Sequence, residues 1–113
     1  MKFPHSELVL VEKEEIVGYL LNSSHPFGRS KARFFGRFGF SINAWEELAE
    51  ALRRHGRQNR VTGFDETEFG VRYQVDGPLI APDGRRPTIR SVWQVEKEGL
   101  APRLITAYPL GDL

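Results

Sequence analysis

GVRYQVDG, residues Gly70–Gly77, alternates without a break: Val71, Tyr73 and Val75 fall on one side, Arg72, Gln74 and Asp76 on the other. A period of two belongs to a β-strand with one face buried. The same period holds in TIRSVWQVE, Thr88–Glu96, with Ile89, Ser91, Trp93 and Val95 against Thr88, Arg90, Val92 and Gln94. It returns in Arg103–Tyr108, where Leu104, Thr106 and Tyr108 are expected opposite Arg103, Ile105 and Ala107. A shorter candidate runs from Val61 to Asp65. Pro82-Asp83-Gly84 and Glu98-Gly99 carry turn chemistry between strands. Such short connections favour antiparallel neighbours.

Upstream of Gly56 the period is helical. Ile16, Val17, Leu20 and Leu21 predict a helix over about 13–21, ended by Asn22-Ser-Ser-His-Pro26. Ala32, Phe35 and Phe38 predict a second over about 29–38, with Gly39 as its stop. Trp45, Leu48, Ala49 and Leu52 form the stripe of a third. There Asn43 is expected to cap, Glu46 to close a capping box, and Gly56 to end the helix, with His55 steadying its negative end. The expected class is therefore α+β: N-terminal helices packed on a C-terminal four-stranded antiparallel sheet. One domain over 1–113 is expected, helical over about 12–56 and sheet over about 59–109. Its 113 residues suit a single core.

Cysteine is absent, which removes disulfides, thiolate metal sites and a cysteine nucleophile. The N-terminal apolar run, Leu8–Val11, is short for a signal peptide, and no stretch has membrane-spanning length, so a cytoplasmic location is expected. Net charge is only +1, but the charges are segregated. Arg29, Lys31, Arg33 and Arg37 form one cationic run, and Arg53, Arg54, Arg57 and Arg60 another. Acids gather at Glu12 to Glu15, Glu46 to Glu50 and Asp65 to Glu68. Segregated cations suit a phosphate-bearing partner; solvated helix faces are the plainer reading.

Gly28-Arg-Ser-Lys31 lacks the spaced glycines of a phosphate loop, and His5, His25 and His55 stand apart without partners at metal-ligand spacing, so no metal site and no cofactor is expected. The densest polar constellation is His25-Pro-Phe-Gly-Arg-Ser-Lys31. A histidine moves protons near neutral pH, and a lysine neutralises phosphate charge. RNA carries its own nucleophile, the 2′-hydroxyl. His25 as base or acid, with Lys31 and Arg90 as clamps and Thr106 orienting the phosphate, would complete a metal-free cleavage site. The plainer reading has His25 capping a helix and Lys31 solvated. Arg90 stands mid-strand, where it needs a partner such as Asp76 if buried, or meets phosphate if exposed. Arg103 has the same ambiguity. Tyr73, Trp93 and Tyr108 suit either core or base stacking.

The strings Tyr19-Leu-Leu-Asn22, His25-Pro-x-Gly28-x-x-Lys31-Ala-x-Phe-Phe35, Gly39-Phe40, Gly70-x-x-Tyr73, Gly77-Pro-Leu79, Pro82-Asp-Gly-Arg85, Val92-Trp93 and Pro102-Arg-Leu-x-Thr-Ala-Tyr-Pro109 resemble a family of small bacterial domains of unknown function. More distantly the chain is similar to the RelE, barnase, EndoU and colicin-type ribonuclease toxins. That wider resemblance implies helices followed by a four-stranded antiparallel sheet. It also implies a cognate antitoxin or immunity partner, an RNA substrate, and a site at His25, Lys31, Arg90 and Thr106. It points further to Tyr73 and Tyr108, and apart from the resemblance Arg29, Arg33 and Arg103 are expected as substrate-binding cations. RelE-like toxins are far more basic than +1, which leaves free-RNA cleavage, or no catalysis, open. The rival expectations are a non-catalytic protein-binding or antitoxin-like module, and an RNA- or DNA-binding domain using the Arg29–Arg37 helix.

Overall fold

The computed structural model describes residues 2–99 and 101–110. After a single 3₁₀ turn at Ser6–Leu8, helix α1 begins at Lys13–Glu15 and widens into a π turn over Ile16–Leu20. The Leu21 N–H reaches back to the Ile16 carbonyl at 2.8 Å, the bond that makes the turn wide. Helix α2 spans Arg29–Arg37 and α3 spans Trp45–Gln58. Strands β1 (Val61–Thr67), β2 (Gly70–Pro78), β3 (Thr88–Glu96) and β4 (Arg103–Pro109) follow as an antiparallel meander in spatial order β1-β2-β3-β4. This is the α+β arrangement expected.

The helices cover one face of the sheet. Ile16, Leu20, Phe35, Leu48 and Leu52 meet Val75, Ile89, Trp93 and Leu104, all without solvent exposure. The stripe of α3 continues one turn beyond Leu52 to buried His55 and Gly56. Gly56 does not stop the helix. A Cβ there would stand 2.7 Å from Trp93 Cζ2, so glycine is what lets α3 lie on the indole. Nor does Asn43 cap α3: a 3₁₀ turn over Ile42–Ala44 leads into it, and neither start has a side-chain cap.

His55 is a core residue, not a helix-end ornament. Its Nε2–H donates to the Gly77 carbonyl (3.1 Å), and its Nδ1 accepts from the Ser91 hydroxyl (2.8 Å), which in turn accepts from Trp93 Nε1–H (2.8 Å). Every polar atom of this buried chain has a partner, which is the condition for burying it. Burial holds the imidazole below its ordinary pKa, so the neutral ring is favoured.

A bulge decides which side chains of β4 face where. Val92 pairs with Thr106 but Trp93 pairs with Leu104, leaving Ile105 as the extra residue. Leu104 and Ala107 are therefore both buried, while Arg103, Thr106 and Tyr108 share the other face. Strict alternation had placed Leu104 with Thr106 and Tyr108; the inserted residue flips that half of the strand. The opposite face thus carries rows of Asp76–Arg90–Tyr108, Gln74–Val92–Thr106 and Arg72–Gln94–Arg103. Part of β4's free edge is taken by Leu10, which bridges Arg103 in parallel.

Candidate functional site

The segment between α1 and α2 is built around His25. Its Nδ1 accepts the backbone N–H groups of Phe27 and Gly28, both at 3.0 Å, and its carbonyl accepts the N–H of Arg29. The ring bonds close the turn that precedes α2, and the carbonyl bond satisfies the first N–H of the helix itself. Gly28 is required here, because a Cβ would fall 2.1 Å from the Tyr19 carbonyl oxygen. The π turn, the His25 loop and α2 are thereby locked together.

The same packing gathers side chains from four elements. The Tyr19 ring meets the His25 ring edge-on at 5.0 Å, and Lys31 Nζ lies over the Tyr19 ring, 5.4 Å from its centroid. Lys31 also donates to the Phe27 carbonyl at 3.2 Å. The Tyr19 hydroxyl is 3.1 Å from Thr106 Oγ1, tying the π turn to β4. Beside this cluster a groove of about 340 Å³ runs between α2 and the end of β4, lined by Lys31, Arg33, Arg37 and Tyr108 among others. Three cations and no carboxylate line it among the described residues. Such a surface attracts phosphate.

With Nδ1 accepting two N–H bonds, the proton of the neutral His25 ring sits on Nε2. The ring therefore presents a fixed donor. Acting as a base through Nε2, or as an imidazolium acid, would need a proton on Nδ1 and the loss of both backbone bonds. The turn-closing role and a chemical role meet in one ring, and the chemical role compatible with the turn is donation of a hydrogen bond.

Arg90 lies on the exposed face one row from Thr106 and beside Tyr108. Its guanidinium is bound in a fork by Asp76, Nε to Oδ1 at 2.7 Å and Nη2 to Oδ2 at 2.9 Å. The Asp76 carboxylate, and after it the Tyr108 phenol, hold Arg90 charged well beyond the ordinary guanidinium range. Arg90 in turn holds Asp76 below the usual carboxylate range. Asp76, expected as a partner only for an Arg90 turned toward the helices, is bound although Arg90 faces away from them; the fork directs Arg90 toward β2, so a phosphate would share the guanidinium with Asp76.

The sheet and helices bring together His25, Lys31, Thr106, Tyr108 and Arg33. They do not bring in Tyr73, Arg103 or Arg29. Tyr73 lies on the helix-covered face, stacked on Phe3 at 5.7 Å. Arg103 stands at the other end of β4, 3.4 Å from Glu96. Arg29 lines the neighbouring depression with Ser23, Ser41 and Ile42, and Arg33 stands between that depression and the groove. Tyr19, Arg37 and Asp76 complete the assembly. Tyr19 stands in one of the family strings, but nothing in the sequence separates a site aromatic at that position from a packed one. No group of three or more His, Asp or Glu side chains is placed to hold a metal ion among the described residues. No helix among them is long and apolar enough to cross a membrane.

Fold and groove together define a small α+β protein with a cation-lined cleft at a sheet edge. The chain belongs to the family described as Domain of unknown function (DUF6883), whose model matches residues 2–111. No curated protein matches its sequence. Among solved structures it is similar in fold to a chain of a "Contact-dependent growth inhibition toxin - immunity protein complex from Klebsiella pneumoniae 342". The TM-score is 0.71 at 20% identity, over 96% of this chain and 98% of that one.

Proposed function

We propose that the chain is a cytoplasmic endoribonuclease of the toxin type, restrained by a cognate antitoxin or immunity protein. The observation that carries this reading is the cluster of Tyr19, His25, Lys31 and Thr106, joined through Lys31 to the groove that Lys31 lines with Arg33 and Arg37. The fold shared with a chain of a toxin–immunity complex supports a partner-controlled role.

In the proposed reaction the 2′-oxygen of a ribose attacks the adjacent phosphorus and the bond to O5′ breaks. The products are a 2′,3′-cyclic phosphate and a 5′-hydroxyl. The cations of the groove and His25 Nε2–H meet the charge that grows on the phosphoryl oxygens. The Lys31 ammonium gives a proton to the departing O5′ and regains one from solvent, which also takes the 2′-hydroxyl proton. Tyr19 and Thr106 orient the phosphate, and Arg90, shared with Asp76, fixes the adjoining strand face. The route draws on no metal because the substrate supplies the nucleophile and the side chains supply the charge.

Induced expression of the wild type should arrest bacterial growth and leave RNA fragments ending in 2′,3′-cyclic phosphate. Fragments ending in a 3′-hydroxyl, or growth arrest unchanged in Lys31→Ala, would contradict the mechanism.

A second reading, a non-catalytic partner-binding module, is favoured by Phe64 and Phe69. They are 58% and 68% exposed on the β1–β2 hairpin, at the sheet edge away from the groove. It predicts a bound partner and no RNA cleavage by any purified sample.

A further inference from the structure

Phe27 is 74% exposed, the most exposed large apolar side chain among the described residues, yet its backbone is held firmly. Its N–H is bound by His25 Nδ1 and its carbonyl by Lys31 Nζ, so both of its polar groups are tied to side chains of the candidate site. Pro26 precedes it, with its fixed φ, and buried Gly28, wedged against the Tyr19 carbonyl, follows it. The ring stands 6.1 Å from the His25 ring at an interplanar angle of 55°, and the His25 ring stands edge-on to Tyr19. An apolar ring presented to water on a pinned backbone, its carbonyl held by Lys31 of the cationic groove, has the two parts of a site for a single strand: a charged track for phosphates and a flat surface for a base.

We propose that Phe27 is a stacking platform for an unpaired base, and that the substrate of the groove is therefore single-stranded RNA. This inference rests on the ribonuclease reading and adds the form of RNA to it. In a duplex the base faces are covered by their neighbours, and the deep major groove of A-form RNA closes off the base edges. Phe27 would then meet only backbone. In an unpaired strand a base turned outward covers the Phe27 ring, while Arg33 and Arg37 hold the adjoining phosphates. Seating a base on Phe27 also sets which phosphate lies beside His25 and Lys31.

The test is binding of fluorescent 2′-O-methyl oligonucleotides, which cannot cleave themselves, to the full chain by anisotropy. Phe27→Ala should weaken binding of the single strand about tenfold and Phe27→Trp should restore it. The Phe27→Ala effect should vanish on a strand made of abasic positions and be absent on the matching duplex. A surface residue of this exposure leaves folding intact, which circular dichroism verifies. If Phe27→Ala binds every probe as the wild type does while Arg33→Ala/Arg37→Ala weakens them all, the platform is wrong and the RNA groove stands. If the wild type binds no probe, the RNA reading itself falls and Phe27 becomes a protein contact.

Discussion

His25 combines two duties that substitution can separate. Alanine removes both the acceptor for the Phe27 and Gly28 N–H groups and the Nε2–H donor. Asparagine can place its side-chain oxygen where Nδ1 stands, keeping the turn and losing the outward donor. His25→Ala should therefore lower stability by about 1 kcal/mol, the usual net worth of a lost intramolecular hydrogen bond. His25→Asn should hold the wild-type melting temperature and still lose about 100-fold or more in RNA cleavage. Equal activity in His25→Asn and wild type would reduce His25 to a turn-closing residue. His55 makes the opposite case, a histidine of the core. Its folded pKa is lowered by burial, so the unfolded chain takes up a proton that the folded chain refuses. Its contribution is complete above the ordinary value of 6.5 and drains away as pH falls from there toward the lower folded value. Urea midpoints for the wild type should drop between neutral pH and pH about 5. His55→Gln should show a shallower drop, and parallel curves would exclude His55 as the cause.

At the scale of elements, two contacts hold the site and core in register. Gly56 accepts the Trp93 indole at a distance no Cβ allows, so Gly56→Ala should destabilise by about 1–3 kcal/mol despite alanine's better helix propensity. A higher melting temperature in that variant would mean the helix can shift. Tyr19 and Thr106 join the π turn to β4 through their hydroxyls. Tyr19→Phe and Thr106→Val should each cost about 0.5–1.5 kcal/mol, and the double variant no more than the larger single loss. Full additivity would show that the two do not interact. The strands were legible because alternation survives in a chain read alone: β3 begins and ends where its periodicity does. The bulge at Ile105 was not, since an inserted residue shows only against a partner strand. The same holds for Gly56, whose neighbour Trp93 is distant in sequence, and for the π turn, which has the composition of an ordinary helix.

For the molecule as a whole, the cationic run of α2 was visible in the sequence, and three of its members meet at one groove. What sequence could not supply was the other wall. Tyr108 lines the groove and Thr106 meets Tyr19 because β4 is the edge strand beside α2, whereas Tyr73 and Arg103, similar in type and spacing, are carried elsewhere by face and register. Binding governed by this groove should weaken steeply as salt rises, with Arg33→Ala/Arg37→Ala reducing the slope of log affinity against log salt by up to about 2. An unchanged slope would place the phosphates on other cations. The decisive assay incubates purified wild type, His25→Asn and Lys31→Ala with total RNA in excess EDTA. The wild type should cleave despite EDTA, and both folded variants should lose nearly all of that cleavage. Equal cleavage by all three, or none by the wild type, would rule out a metal-independent ribonuclease with His25 and Lys31 in its site.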